Sequence, residues 1–242
     1  MDRSGNKLAR NRRSKLSFVG LFWMAAIAGT ATAAPLDFAR LDFNGPWQVI
    51  KPLQALRPDD GSALPFTPAG AAAFQKNRGT VGKDDVDPIT RCLPPGVSRL
   101  FEQPMPFSVV AGKKLVGFVF QWNHLNRIVY IDTPRFEPIG PAYLGQSVGR
   151  WDGATLVIDT NQYNDTTWLD DTGLPHSDQL ETIELVSLSP NGRQLVDKVT
   201  FTDPVTFTHP WTTTIRFRRE AGVIVREDYC LGRFGKGVTA GG

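Results

Sequence analysis

A two-residue alternation of apolar and polar side chains constrains the fold of this chain more than any other feature. It recurs from residue 107 onward in segments rich in Val, Ile, Phe and Thr, and turn-forming residues separate these segments. Because successive side chains of a strand point to opposite faces of a sheet, the pattern predicts strands with one buried face. The predicted strands are 107–111, 114–122, 127–132, 147–151, 155–159, 180–188, 194–202, 212–218 and 223–230.

The connections between these strands contain hairpin signals. Asp152-Gly153, Asn191-Gly192 and Ala221-Gly222 supply the residues that tolerate positive φ in tight turns, so we expect consecutive strands to pair antiparallel. About eight to ten such strands must hide their edges, and closing the sheet is the simplest way to do so. We therefore predict an all-β fold, an antiparallel meander barrel resembling a lipocalin, with a two-sheet sandwich as the alternative. A barrel of about eight strands leaves room for one small ligand in its mouth.

The N-terminal residues 1–34 have the pattern of a cleavable signal peptide. Six basic side chains precede an apolar run at 16–28, and small residues follow as a cleavage site near Ala33 or Ala34. The apolar run is shorter than the roughly 20 residues that span a bilayer as a helix. Arg12-Arg13 resembles a twin-arginine signal, but Lys15 stands where such signals place an apolar residue, which favours general secretion. The sequence therefore predicts a periplasmic or secreted protein with no membrane association after cleavage.

The remaining chain divides by composition. Residues 35–91 are rich in Pro, Gly and Ala and predict an irregular arm, in which 45–50 resembles a strand and 69–75 one or two helical turns. Residues 92–242 form the predicted β-barrel domain. Without residues 1–34 the chain has 21 basic and 23 acidic side chains, a net charge of −2, in place of the +3 of the whole sequence. Nucleic acid is therefore not an expected partner.

The two cysteines, Cys92 and Cys230, both lie in the predicted mature protein. An exported chain reaches a compartment in which disulfides persist, so we predict a bridge between them that ties the start of the barrel domain to its last strand. Closing so long a loop stabilises the fold by on the order of 4 kcal/mol in the chain-entropy model. Two free buried thiols are the alternative.

The residues around each motif for metal binding or nucleophilic chemistry argue against that function. Gly145-Gln146-Ser147-Val148-Gly149 matches the GxSxG pattern, but a hairpin follows the serine, where a nucleophile elbow needs a helix. The three histidines, His124, His176 and His209, lack the spacing of zinc ligands, and neither cysteine has a close partner in sequence. We therefore expect no metal site and no cofactor.

The polar stretch 159–184 is the strongest candidate for a functional loop, because long loops with aromatic residues are usually functional when they are not disordered. A loop that merely bonds to itself is the alternative. At its end, Glu184 shares a strand face with mostly apolar residues, Leu180, Val186 and Leu188 among them. If that face is the lumen, Glu184 must meet a basic partner such as Arg127 or Arg150, or have a raised pKa; if the face is the outside, it contacts water.

Several segments together resemble a family of secreted bacterial proteins to which no activity is attached. They are Cys92 to Gly96, Arg127-Ile128 with Asp132, Gly145 to Trp151, Asp159-Thr160, Asn164-Asp165, Thr167 to Asp170, Pro175 to Asp178, Glu184, Asp203-Pro204, Pro210 to Thr212 and Tyr229-Cys230. The resemblance implies export and a β fold, and its motif brings the residues around His176 together with Glu184. The chain departs from the family at Gln146 and His209, so neither position carries a family-wide reaction.

These observations lead to a first hypothesis, a metal-independent acid/base enzyme acting on a small apolar or aromatic molecule as an isomerase, cyclase, lyase or hydrolase. His176 is the predicted general base or acid, Asp178 orients it, Glu184 is the second titrating group, and Arg127 steadies a developing oxyanion. A non-catalytic carrier with the same cavity and an interaction protein with a filled barrel are the alternatives. The predicted ligand-binding residues are Arg127, Asp132, Trp151, Asp159, Asn164, Asp165, Trp168, Ser177, Trp211 and Tyr229.

Overall fold

The computed structural model of the chain describes residues 43–52, 55–81, 86–137 and 140–230. The predicted signal peptide and its cleavage site lie outside the described residues. Within the described ranges, no helix is long and apolar enough to cross a membrane.

The described residues form a closed barrel of nine strands, which confirms the predicted all-β barrel. The strands neighbour one another in chain order, and the first pairs with the last to close the sheet. Their bounds are β1 Gly45–Val49, β2 Phe107–Ala111, β3 Leu115–Phe120, β4 Asn126–Ile131, β5 Gln146–Asp152, β6 Thr155–Asn161, β7 Glu181–Leu188, β8 Gln194–Thr202 and β9 Trp211–Arg219.

One strand pair departs from the antiparallel meander. β4 and β5 pair in parallel, with Val129 opposite Ser147 and Ile131 opposite Gly149. Parallel neighbours need a connection that returns the chain to the end at which it started, and the segment 132–145 supplies it. The expectation that all consecutive strands are antiparallel is therefore wrong at this pair, and the barrel has mixed strand orientation.

Of the elements predicted outside β2–β9, two are confirmed and one is wrong. The strand expected at 45–50 is β1, which lies between β2 and β9, and the helical turns expected at 69–75 are part of the helix α1, Pro68–Arg78. The strand predicted at 223–230 is absent, and this segment is irregular in the structure. The physical reason is that β8 and β1 already occupy both edges of β9, so no free edge remains to pair with a further strand.

The helix α2, Val97–Phe101, plugs the interior of the barrel. Its Phe101 ring lies 5.0–5.5 Å from the rings of four inward-facing phenylalanines, Phe107, Phe118, Phe120 and Phe217. Arg99 anchors the plug: its guanidinium binds the buried Asp87 carboxylate with two hydrogen bonds of 2.7 and 2.9 Å. Ser98 donates a further hydrogen bond to the backbone carbonyl of Leu169. The plug therefore connects the barrel core to the long loop after β6.

The predicted disulfide between Cys92 and Cys230 is confirmed, with their Cα atoms 5.5 Å apart. It fastens the segment that leads into α2 to the chain after β9, not to a last strand as expected. Cys230 is fully buried, so the bridge holds the end of the described chain against the plugged region of the barrel.

Candidate functional site

A buried ion pair crosses the lumen of the barrel. The inward face of β4 presents Arg127 and that of β7 presents Glu184, and both side chains are about 2% exposed. The guanidinium binds both oxygens of the Glu184 carboxylate, with 2.8 Å between Nη1 and Oε1. Nε also donates to Ser147 Oγ at 3.2 Å, and Nη2 to Thr160 Oγ1 at 2.9 Å. The predicted inward orientation of Glu184 and its pairing with Arg127 are confirmed, whereas Arg150 is exposed.

Asp197 on β8 completes this lumen cluster, defined as Arg127, Glu184 and Asp197. Burial raises the pKa of the Asp197 carboxyl well above its ordinary value, and the negative charge of Glu184 raises it further. The raised pKa favours a neutral Asp197 carboxyl, which lines the same buried space as Glu184. The cluster therefore combines a buried ion pair with a carboxyl that favours its protonated form. The sequence analysis did not identify Asp197, although Asp197 lies on the same inward face of β8 as Leu195 and Val199.

A small cavity separates the lumen cluster from α2 and the loop. Its lining includes Glu184, Asp197, Phe101, Thr167, Trp168 and His176. The space open to the centre of a water-sized sphere is about 10 Å³, which is enough for roughly one water molecule. The predicted ligand cavity in the barrel mouth is therefore almost entirely filled by side chains. We call this space the lumen cavity.

A much larger depression, the outer groove, lies between α1 and the loop segment 165–178. It is open to solvent and has a volume of about 410 Å³, within the range of small-molecule pockets. Its lining includes Lys76 and Asn77 of α1 and five of the predicted site residues: Asp165, Trp168, His176, Ser177 and Asp178. The loop that sequence composition singled out thus forms one wall of a groove of ligand size.

His176, Thr167 and Trp168 line both spaces and form the wall between the outer groove and the lumen cavity. The His176 ring is 6% exposed, with Nε2 2.6 Å from Thr167 Oγ1 and Nδ1 3.0 Å from the carbonyl oxygen of Ser177. Because a carbonyl oxygen only accepts, Nδ1 carries the hydrogen, and Nε2 accepts the hydrogen of the Thr167 hydroxyl. Burial lowers the pKa of His176, which favours this neutral ring.

Two carboxylates fix the loop that carries His176. Asp203 accepts hydrogen bonds from the backbone N–H and the hydroxyl of Ser177, at 2.6 and 2.8 Å. Burial opposes ionisation of Asp203, but these bonds outweigh it and its pKa is lowered. Asp170 is fully buried and accepts hydrogen bonds from the backbone N–H groups of Leu56, Thr172 and Leu174. The loop is therefore held by its own Asp170, which also binds the N-terminal segment at Leu56, and by Asp203 of the β8–β9 connection.

The roles that sequence reasoning gave to the loop residues change in part. Asp178 is exposed and lines the outer groove, while the Ser177 carbonyl and the Thr167 hydroxyl orient His176. Asn164 caps a turn by accepting hydrogen bonds from the backbone and the hydroxyl of Thr166. Thr167 was not predicted as a site residue, because a loop has no periodicity from which the direction of its side chains can be inferred.

Seven of the ten predicted ligand-binding residues lie outside the outer groove and the lumen cavity. Arg127 belongs to the lumen cluster, and Asn164 caps its own turn. Trp211 stacks on Phe201 in the barrel interior, with ring centroids 4.6 Å apart. Asp132 is exposed in the turn after β4, and Asp159 pairs with Arg135 on the outer wall at 2.8 Å. Trp151 packs against Phe43 near the β5–β6 turn, and Tyr229 is 61% exposed beside His124. The site is thus smaller than the sequence predicted.

The serine of the GxSxG segment is a lumen residue. Ser147 contacts Arg127 and Thr160 on the inner face of β5, and β5 and β6 form the antiparallel pair expected around the hairpin. Within the described ranges, no three His, Cys, Asp or Glu side chains converge as metal ligands.

Together these features define a lipocalin-like, closed nine-strand barrel with a plugged lumen and a ligand-sized groove beside a buried histidine. Comparison with protein-family models, with curated proteins and with solved structures finds no match. The resemblance to a family of secreted bacterial proteins therefore stays a prediction.

Proposed function

We propose that this chain is an exported small-molecule-binding barrel whose ligand occupies the outer groove and contacts His176. The observation that carries the proposal is the shared wall: His176, Thr167 and Trp168 separate a solvent-open groove from the buried lumen cavity. Small-molecule sites typically combine a concave, partly apolar surface with a few fixed polar groups, and this wall supplies both.

The chemistry of the wall supports a small apolar or aromatic ligand. Trp168 supplies aromatic surface, and the Arg99 guanidinium lies 5.4 Å from its ring centroid on the barrel side. That contact, together with the hydrogen bond from Ser98 to Leu169, holds the loop in place before a ligand arrives. A pre-organised wall lowers the entropy lost on binding. Export agrees with the disulfide between Cys92 and Cys230, since such bridges persist in oxidising compartments.

The test is a binding screen on the chain from residue 35 onward, with the disulfide intact. A panel of small apolar and aromatic molecules is assayed by thermal shift, and hits are titrated by tryptophan fluorescence. We expect at least one ligand whose affinity falls about tenfold or more in H176A, because the substitution removes part of the groove wall and the hydrogen bond that fixes Thr167. His209 is an exposed histidine away from the groove, so H209A serves as the matched control and should bind within about twofold of the unmodified chain.

The screen also has an outcome that contradicts the proposal. If no molecule of the panel stabilises the protein, or if every hit binds H176A as tightly as the unmodified chain, the outer groove is not the binding site. Circular dichroism and the melting temperature of each variant show whether it is folded.

Acid/base catalysis is a second candidate, because His176 and Glu184 line the same lumen cavity. In this candidate mechanism a neutral His176 is the base, Glu184 is paired with Arg127, and Asp197, whose pKa is raised by burial, is the acid. Ligands from the screen are incubated with the protein and followed by NMR. A chemical change that H176A abolishes supports catalysis, and a ligand recovered unchanged contradicts it.

A further inference from the structure

We propose that Thr167 is a nucleophile activated by His176, and that the outer groove admits small carboxylic esters with an apolar acyl group for hydrolysis. This inference rests on the proposed function in one respect, since it needs the outer groove to accept a small molecule. It goes further in naming the reacting atom, Oγ1 of Thr167, and the class of substrate.

The first support is the geometry of the hydroxyl and the imidazole. Thr167 Oγ1 lies 2.6 Å from His176 Nε2, and the fixed tautomer makes the hydroxyl the donor and the ring the acceptor. This is the direction of proton transfer that a general base needs to activate a nucleophile. The base also has an orienting group: Ser177, whose carbonyl accepts from Nδ1, is itself fixed by two hydrogen bonds to Asp203.

The second support is the close packing around the hydroxyl. Gly96 faces Thr167 from the plug side with φ of +90°, and a Cβ atom built on it would lie 2.9 Å from Thr167 Oγ1. Because glycine has no Cβ, the backbone that leads into α2 packs directly against Thr167 and limits the positions that its hydroxyl can take. Thr167 is 2% exposed, and it lines both the lumen cavity and the outer groove.

The alternative is that the pair only fastens the loop. Asp170 and Asp203 already do so, with hydrogen bonds to the backbone on both sides of His176, at Thr172 and Leu174 and at Ser177. Burying an imidazole in a segment that is already fixed costs free energy, because burial disfavours the charged ring and both ring nitrogens need hydrogen-bond partners. The position of the pair at the wall of a ligand-sized groove agrees better with a role in chemistry.

The reaction proceeds through an acyl-threonine. Oγ1 of Thr167 attacks the ester carbonyl carbon and gives its proton to Nε2 of His176; the imidazolium returns this proton to the departing alkoxide, which leaves as an alcohol. Water then attacks the acyl carbon and gives a proton to His176, and the imidazolium protonates Oγ1 as the carboxylic acid leaves. The net change is ester plus water to acid plus alcohol. Burial lowers the pKa of His176, whereas the negative charges of Asp203 and Asp165 raise it. These charges therefore stabilise the imidazolium that forms in each half of the reaction.

The experiment uses p-nitrophenyl butyrate as substrate and a fluorophosphonate as a covalent probe, with the labelled peptide located by tandem mass spectrometry. We expect label on Thr167 and a hydrolysis rate that falls about 100-fold or more in T167V and H176A. T167S keeps a hydroxyl and should retain activity within about tenfold. Thr166 is the matched control: its exposed hydroxyl bonds to Asn164, so T166V should hydrolyse the ester within about twofold of the unmodified chain.

The outcomes separate this inference from the proposed function. Labelling of Thr167 that is lost in H176A supports the nucleophile. The assignment of Thr167 as the nucleophile is overturned if Thr167 carries no label and the unmodified chain hydrolyses the ester no faster than T167V does. Label on another residue also overturns it. Ligand titration of the unmodified chain and of H176A reports on the groove: binding that depends on His176 without labelling of Thr167 in the unmodified chain rejects the nucleophile alone, whereas absence of both binding and labelling rejects the proposed function as well. If T167V fails to fold, labelling of the unmodified chain still decides.

Discussion

Replacing Arg127 by methionine tests the energetics on which the lumen cluster depends. The Arg127 side chain is about 2% exposed and contacts three partners, Glu184, Ser147 and Thr160. Its removal leaves the Glu184 carboxylate buried without a counter-charge. Breaking a buried ion pair from one side typically costs about 3–5 kcal/mol, so we expect R127M to lower the free energy of unfolding by that amount.

The double variant R127M/E184M removes both charges and identifies the source of that loss. Replacement of a complete buried pair by apolar residues is often neutral, and Ser147 and Thr160 still bond to each other at 2.9 Å. We therefore expect the double variant to be more stable than R127M by about 2 kcal/mol or more.

Urea unfolding followed by tryptophan fluorescence, with the disulfide intact, measures these differences as midpoint shifts at constant slope. Arg135 is the matched control, because it pairs with Asp159 and Glu181 on the outer wall while 42% exposed. R135M should change the free energy of unfolding by about 1 kcal/mol or less. If R127M costs no more than R135M, or if the double variant is less stable than R127M, the account of the cluster as a compensated charge pair is refuted.

Three further predictions concern the disulfide, the histidine and a glycine. Replacing Cys92 and Cys230 together by alanine should lower the free energy of unfolding by about 2–5 kcal/mol, and an unchanged urea midpoint would contradict a role of the bridge in stability. Burial lowers the pKa of His176 in the folded state below its ordinary value of 6.5. As the pH falls below 6.5, the unfolded chain therefore binds a proton at His176 before the folded protein does. The contribution of His176 to stability is complete above pH 6.5 and decreases as the pH falls below this value. The melting temperature of H176N should therefore change less between pH 5 and 8 than that of the unmodified chain. Parallel curves of melting temperature against pH for the two proteins would contradict a lowered pKa of His176. Gly96→Ala should destabilise more than Gly153→Ala, because both glycines have positive φ but only Gly96 has an atom within 4 Å of its Cβ position; equal melting temperatures would disprove the crowding at Thr167.

Strand periodicity explains why part of the candidate site was predictable. Glu184 follows the parity of Thr182 and Val186 on β7, so its inward orientation and its need for a partner follow from the sequence. The same argument applied to β8 identifies Asp197. His176 was found from composition alone, because a polar loop with aromatic residues is unusual, and the same reasoning gave Asp178 an orienting role that the Ser177 carbonyl has in the structure.

Other features depend on contacts between segments far apart in the chain. The parallel pairing of β4 with β5 depends on the path of the 132–145 connection, and no local pattern encodes that path. The closure of the barrel by β1 depends on which edges remain free once the other strands have paired. The plug α2 was not predicted, since its five residues are too few to show helical periodicity.

The sequence by itself determined the β class, most of the strands and which residues share a face with Glu184, because local alternation of apolar and polar side chains encodes them. It favoured the pairing of the two cysteines and an inward Glu184, and the tertiary structure confirmed both. The tertiary structure alone decided that the lumen is filled by Phe101, that ligand-sized space lies outside it, and that Thr167 meets His176. Packing of α2 and the loop against the barrel sets these features. Such packing depends on side chains from many segments acting at once, and period and composition do not encode it.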